Sequence, residues 1–142
     1  MEINLKKTNE DAYIPEYAHI GDSGFDFRVM SDILIHSGER VLIPTGIAFE
    51  IPLGYELQVR PKSGISFKTG LRVCNSPGTI DAGFRDQVSI IVENTGDTGL
   101  VFNKGDKIAQ GVICPVIRAS FVIVENLTET VRGDGGFGST GA

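Results

Sequence analysis

Several features are scarce or absent in this 142-residue chain, and each absence excludes a class of protein. No run of 18 apolar residues occurs, so no membrane-spanning helix is expected. The 13 Lys and Arg are outnumbered by 18 Asp and Glu, and the net charge of -5 argues against a dedicated nucleic-acid or membrane-surface binder. The two cysteines, Cys74 and Cys114, form no CxxC pair, which fits a reducing compartment and predicts no zinc site.

The start of the chain and the glycine content complete this picture. Met1 precedes polar residues instead of a signal peptide, so a cytoplasmic location is expected, or the host cytoplasm or nucleus for a viral source. Glycine accounts for 18 of 142 residues, about 13% against a usual ~7%, which favours turns, bulges and close approach of backbone to a ligand over helices.

Short β-rich runs separated by turn residues predict an all-β fold. Strands are expected at 33–35, 40–43, 47–51, 55–59, 87–93, 107–116 and 120–125. Many short strands at this spacing indicate an antiparallel sandwich or barrel. One short helix is expected at 63–68, and both cysteines are expected to serve as small core residues.

The last eleven residues differ from the rest, which divides the chain into a domain at 1–131 and an arm at 132–142. Five of the eleven are glycine, and Phe137 is their only large apolar side chain, so the segment cannot bury enough surface to order itself. One interpretation is a frayed tail. The other is a flexible arm that orders on a ligand, with Arg132 pairing with phosphate and Phe137 stacking on a flat ring.

Residues 75–85 hold the densest set of chemically useful side chains. One interpretation is a hairpin in which Asp81 caps a turn. The other is a pocket in which the Asn75 amide reads the edge of a planar ring and Asp81 acts as a general base on a water. Phe84 would then pack against a sugar.

Three further segments allow a structural and a functional interpretation. Lys62, Ser63 and Gly64 open the expected helix, where ordinary capping and phosphate binding are both possible. Gln110 is either a solvated strand residue or a polar group that reaches a ligand. Asp26 alternates with phenylalanines along a strand and faces away from them.

Taken in order, five segments closely resemble the five sequence motifs of the homotrimeric dUTPases (deoxyuridine triphosphatases). They are Asp-Ser-Gly-Phe-Asp-Phe-Arg at 22–28, Pro-Lys-Ser-Gly-Ile-Ser at 61–66, Asn-x5-Asp-x-x-Phe-Arg at 75–85, Gly-Asp-Lys-Ile-Ala-Gln at 105–110 and Arg-Gly-Asp-Gly-Gly-Phe-Gly-Ser-Thr-Gly at 132–141. Any one segment is weak evidence for the family, but five segments in the same order over nearly the whole chain are specific evidence.

The resemblance implies a jelly-roll-like antiparallel β-barrel, a homotrimer with shared active sites, and Mg2+-assisted hydrolysis of dUTP to dUMP and pyrophosphate. This reaction limits uracil in DNA and supplies dUMP for dTMP synthesis. By position, Asp81 would activate the water that attacks the α-phosphorus, and Asp26 would support magnesium through water, with most ligands coming from the substrate phosphates. The implied substrate-binding residues are Lys62, Ser63, Gly64, Asn75, Gly78, Thr79, Ile80, Phe84, Gln110, Arg132, Phe137, Gly138, Ser139 and Thr140.

The sequence departs from the family pattern at three positions. Lys62 replaces the usual Arg, Phe84 replaces the usual Tyr, and Asp86 stands where Gly is common. Two alternatives stay open: a dCTP deaminase of the same fold, which would release ammonia, and a nucleotide-gated regulatory binding protein. The presence of Asp81 and of the complete terminal motif favours the triphosphatase.

The lysine at position 62 generates the first prediction. Arginine presents a planar fork that binds phosphate with two parallel hydrogen bonds, whereas lysine is a point charge. We expect Lys62→Arg to retain or improve dUTP turnover, measured as pyrophosphate release. A large loss of activity would show that Lys62 works differently from the family residue.

Overall fold

A computed structural model describes residues 1–138 of the chain. The strands are β1 (Asn4–Lys7), β2 (Phe25–Arg28), β3 (Ile33–Ile35), β4 (Arg40–Glu50), β5 (Tyr55–Arg60), β6 (Leu71–Val73), β7 (Gly78–Ile80), β8 (Gln87–Asn94), β9 (Leu100–Phe102) and β10 (Lys107–Pro115). The helix α1 spans Ser63–Lys68, as the sequence predicted. Every pair of these strands is antiparallel.

Two four-stranded sheets and one small sheet form the body. The strand orders are β1-β4-β8-β6, β2-β10-β5-β7 and β3-β9. Non-consecutive strands are neighbours throughout, and the shared core contains side chains from all three sheets, among them Phe27, Ile35, Leu57 and Ile90. This arrangement, with almost no helix, confirms the expected all-β, jelly-roll-like architecture.

The sheet β2-β10-β5-β7 carries most of the candidate site residues. Asp26 pairs with Gln110, which pairs on its other side with Arg60, while Gly78 pairs with Val59. Phe25 and Phe27 point into the core on either side of Asp26 and meet edge to face, with ring centroids 5.5 Å apart. Alternation along β2 therefore fixes the Asp26 side chain on the opposite, outer face.

Strand β4 is longer than expected. The sequence predicted two strands interrupted by Thr45 and Gly46, but β4 runs without a break from Arg40 to Glu50. A register shift against β8 between Pro44 and Ala48 absorbs the irregular backbone, and the Thr45 hydroxyl donates to the Val88 carbonyl at 2.8 Å. The turn residues thus form a β-bulge instead of a loop.

Two further expectations were wrong. Residues 120–125 form no strand, because no sheet edge within the described chain pairs with them, and their side chains, including Phe121 and Ile123, are exposed. Cys74 is exposed instead of lying in the core, since it follows β6 at the point where the chain leaves the sheet; Cys114 is only half-buried.

No regular secondary structure follows β10 in the described part of the chain. Residues 116–138 contain no helix or strand. The division into a domain at 1–131 and an arm at 132–142 stays a prediction. The last strand ends at Pro115, and no structural element of the described chain begins or ends at residue 131. Within residues 1–138, no helix has the length and apolar character needed to cross a membrane.

The bulge in β4 generates a stability prediction. Gly46 and Gly38 both have positive φ, +69° and +73°, so Ala costs about 1–2 kcal/mol at either position. A Cβ on Gly46 would also lie 2.5 Å from Met30 Sδ and 2.7 Å from Ala12 Cβ, whereas Gly38 has open space. We expect Gly46→Ala to lower the free energy of unfolding by about 1–3 kcal/mol more than Gly38→Ala. Urea unfolding at equal protomer concentration tests this, and equal losses would contradict it.

Candidate active site

A buried carboxylate held by two lysines forms the centre of the candidate site. Asp26 is 8% exposed. Lys62 Nζ donates to its Oδ1, and Lys107 Nζ donates to its Oδ2 at 2.5 Å. One negative charge thus neutralises only part of two positive charges. Asp22 lines the same cavity and balances the remaining charge, so the feature that marks a candidate anion site is the pair of ammonium donors.

The same contacts explain the ionisation of Asp26. Burial alone would raise the pKa of its carboxyl group. The hydrogen bonds and charges of Lys107 and Lys62 outweigh burial and lower the pKa below its usual value. Asp26 is therefore ionised at neutral pH.

Close packing positions Gln110 beside this cluster. Its Nε2 donates to the Pro61 carbonyl at 2.9 Å. A Cβ on Gly24 would lie 2.4 Å from Gln110 Oε1, so glycine at position 24 is what leaves room for the amide. The glycine of the first motif and the glutamine of the fourth are thus in direct contact.

An open cavity of about 380 Å³ collects these residues. Its lining is Ala18, His19, Asp22, Ser23, Gly24, Asp26, Lys62, Lys107 and Gln110. Lys62 is the residue that caps the start of α1, and Ser63 and Gly64 follow it at the surface. Three segments that the sequence singled out therefore meet here, in a cavity that is open to solvent and holds two lysines and two aspartates.

A second group of candidate residues lies on the segment 75–85, which contains β7 and pairs with β5. Asp81 and Phe84 are the ends of a turn closed by the hydrogen bond from Phe84 N to the Asp81 carbonyl, 3.0 Å. The Arg85 guanidinium supports this turn by donating to the carbonyls of Ala82 and Phe84 at 2.6 and 3.0 Å. Both Asp81 and Phe84 are exposed, which leaves their side chains accessible to a ligand.

The first part of the same segment contains the residues expected to bind the uracil base. Asn75 and Thr79 are exposed, Ile80 is half-buried and Gly78 is buried. A Cβ on Gly78 would lie 3.1 Å from Asn75 Nδ2, so the glycine lets the amide pack against the strand. These residues directly precede Asp81 in the chain, and two of them are open to a ligand.

The two groups are far apart within one chain. Asp26 pairs with Gln110, and Gln110 pairs with Arg60 of β5. Asp81 follows Ile80, which pairs with Leu57 of the same strand β5. Four residues along the strands are about 13 Å, and three strand spacings from β2 to β7 are about 14 Å, so the two carboxylates are about 20 Å apart. The residues within each group lie close together, but one chain does not bring the two groups to the same place.

In its described part, 132–138, the terminal segment makes no hydrogen bond to either group. Arg132 Nε donates to the Gly135 carbonyl at 3.0 Å within its own turn, and Phe137 is fully exposed. Gly138, also exposed, is the last described residue, and Ser139 and Thr140 lie outside the described residues.

The described residues offer no complete protein cage for a metal. Among positions 1–138 there is no group of three or more His, Cys, Asp or Glu side chains that could hold an ion. Asp26 is the one carboxylate beside the lysines, apart from Asp22 at the rim. This donor set fits a magnesium ion that takes most of its oxygen ligands from phosphates and water.

Comparisons with known proteins agree with this arrangement. A profile of the family described as dUTPase matches residues 10–141. The "Deoxyuridine 5'-triphosphate nucleotidohydrolase" of Nautilia profundicola is 47% identical over 99% of each chain. The protein of the same name from Bdellovibrio bacteriovorus is 49% identical over 99% of this chain and 97% of its own.

Solved structures show the same fold. The dUTPase of Staphylococcus bacteriophage 80alpha with dUpNHpp superposes with a TM-score of 0.93 at 28% identity, over 99% of both chains. A mutant of the dUTPase from phage phi11 of S. aureus, described as revealing the coordination of a structural Mg(II) ion, has a TM-score of 0.84 at 26% identity, over 91% of this chain and 100% of its own.

Fold and site together define a β-barrel protein with a cavity in which two lysines can meet an anionic ligand. The chain belongs to the dUTPase family. The resemblance and the enzyme class expected from the sequence, dUTP diphosphatase, are confirmed. Sequence reasoning missed Lys107, which contacts Asp26, and the support that Arg85 gives to the turn; both residues lie inside the motifs, but no spacing rule shows their contacts.

Proposed function

We propose that this protein hydrolyses dUTP to dUMP and pyrophosphate. The observation that carries the proposal is the convergence of Asp26, Lys62 and Gln110 on one open cavity in a chain of the dUTPase family. By its chemistry the reaction limits uracil in DNA and supplies dUMP for dTMP synthesis. The expected cytoplasmic location stays a prediction.

The cavity binds the triphosphate. The Lys62 ammonium group donates hydrogen bonds to phosphate oxygens. The exposed Ser63 and Gly64 add hydroxyl and backbone N–H donors. Gln110, held by Pro61, directs its amide toward the same phosphates. These donors position the phosphate chain and neutralise charge, which are the main requirements of phosphoryl transfer.

Magnesium completes the phosphate site in this proposal. Asp26 would support the ion through water, and the substrate phosphates would supply most of its oxygen ligands. When bound, the ion neutralises charge on the phosphates. The ionised state of Asp26, maintained by Lys107 and Lys62, is the state needed for this contact.

The segment 75–85 supplies the general base and the residues that select the substrate. The Asp81 carboxylate accepts a proton from a water as that water attacks the α-phosphorus in line with the departing pyrophosphate. Asn75 and the backbone of 75–80 read the uracil edge, and size excludes the thymine methyl. Phe84 occupies the space of a ribose 2′-hydroxyl and so favours deoxyribose. From the arm, Arg132 pairs with the γ-phosphate, Phe137 covers the uracil, and Gly138, Ser139 and Thr140 close over the phosphates.

We also propose that each active site is shared between copies of the chain in a homotrimer. Asp81 must reach the α-phosphorus while Asp26 acts on the same phosphate chain, yet about 20 Å separates them within one chain. The exposed apolar side chains of 116–131, including Ile117 and Phe121, further support assembly, because an extended segment of this kind buries its surface only against another chain.

Loss of the general base tests the reaction. We expect wild-type protein with Mg2+ to release dUMP and pyrophosphate from dUTP alone among the nucleoside triphosphates. Asp81→Asn should lower kcat by about 10²–10⁴-fold, because a positioned base contributes that much, while dUpNHpp still binds. Product analysis by chromatography measures both.

Other outcomes of that experiment point elsewhere. Hydrolysis of UTP as well as dUTP would show that Phe84 fails to exclude ribose. Ammonia released from dCTP would favour a deaminase, and dUpNHpp binding without hydrolysis of any nucleotide would favour a regulatory binding protein.

Subunit mixing tests the shared site. Asp81→Asn and Asp26→Asn damage different halves, so a mixed trimer regains one intact site of three if each site takes its halves from neighbouring chains. Equal, random mixing by co-refolding should restore about a quarter of wild-type activity.

The matched control mixes two defects of the same half, Lys62→Met and Asp26→Asn. It should give no activity beyond the average of the parents. Absence of any gain in the first mixture, with mixed trimers shown by mass spectrometry, would contradict the shared site.

A further inference from the structure

We infer that Lys107 is a positioning residue that keeps Asp26 in place while Lys62 turns to the phosphates. The inference rests on the proposed function, because it concerns how the cavity changes partners when the triphosphate binds. Its basis is the division of one carboxylate between two lysines, with Lys62 on Oδ1 and Lys107 on Oδ2.

A β-bulge brings Lys107 to this face of the sheet. Lys107 and Gln110 are three residues apart, so in a regular strand their side chains would point to opposite faces. In β10 the pairing with β2 shifts between Lys107 and Ala109. Ile108 and Ala109 are consecutive and both buried, which lets Lys107 and Gln110 share the outer face.

The backbone that precedes Lys107 is firmly held. Asp106 O accepts from Val29 N at 3.0 Å, and Gly105 N donates to Val29 O at 2.9 Å. The Arg28 guanidinium also donates to the Gly105 carbonyl at 2.7 Å. Strand β2, which carries Asp26, thus holds the turn from which Lys107 extends.

The two lysines are not equivalent in position. Lys62 lies at the start of α1 beside the exposed Ser63 and Gly64, where the phosphates are proposed to bind. Lys107 extends from β10, an inner strand of the four-stranded sheet, next to the strand that carries Asp26. When the Lys62 ammonium is engaged by phosphate, Lys107 remains to pair the buried carboxylate, which would otherwise carry the cost of an isolated buried charge.

Calorimetric binding of dUpNHpp, with Mg2+ and with EDTA, tests this role. The measured quantity is the ratio of the dissociation constants in EDTA and in Mg2+, which reports how much the metal adds to binding. We expect Lys107→Met to reduce this ratio about tenfold, in the range found when a residue supporting a metal ligand is lost. Lys107→Arg should keep it within about twofold, because arginine also pairs with a carboxylate.

Lys104→Met is the matched control. Lys104 lies in the same turn and also pairs with an aspartate, since its Nζ is 2.5 Å from Asp11 Oδ1, but that pair is exposed and outside the cavity. We expect its ratio to equal that of the wild type. Lys107→Gln, which keeps a neutral donor, provides a second variant if Lys107→Met does not fold.

The outcomes separate this inference from the proposed function. An unchanged ratio in Lys107→Met, or equal weakening in Mg2+ and in EDTA, would falsify the role of Lys107, since a merely structural loss affects both conditions alike. A wild-type protein that fails to bind dUpNHpp at all would overturn the proposed function and this inference with it.

Discussion

The ion pairs of one buried carboxylate organise the candidate site. Asp26 sits on a strand whose neighbours, Phe25 and Phe27, are packed in the core, so its side chain has little freedom. Burying that charge is tolerable because Lys62 and Lys107 pair with both of its oxygens. The same pairing places two ammonium groups at the surface of one cavity. A constraint on folding thus becomes a feature of the proposed phosphate site.

The second constraint is distance. The register of β5 against β10 and β7 places Asp81 about 20 Å from Asp26 within one chain. In the proposed homotrimer, a neighbouring chain supplies the missing half of each active site. Asp81 and Phe84 lie at the ends of a short turn, and Arg85 supports that turn. The positions of both side chains are therefore set before a ligand binds.

Much of the fold and site was predictable from local signals. Alternating Val and Ile residues located β8, and the helix was predicted at its observed bounds. Other elements depended on partners that the sequence does not show: β4 continues through Gly46 because a bulge against β8 accommodates it, and 120–125 remain unpaired because no edge in the chain receives them. The meeting of Asp26, Lys62 and Gln110 was inferred from resemblance to a family, not from spacing.

The sequence by itself determined the strand-rich class, the single short helix, and the residue types available for phosphate, base and general-base chemistry, because these depend on local periodicity and side-chain chemistry. Only the tertiary structure decided that Lys107 joins Lys62 on Asp26, that Gly24 makes room for Gln110, and that Asp81 lies far from both. The reason is physical. Contacts between distant segments follow from strand pairing and from a one-residue bulge in β10, and neither has a local signature in the chain.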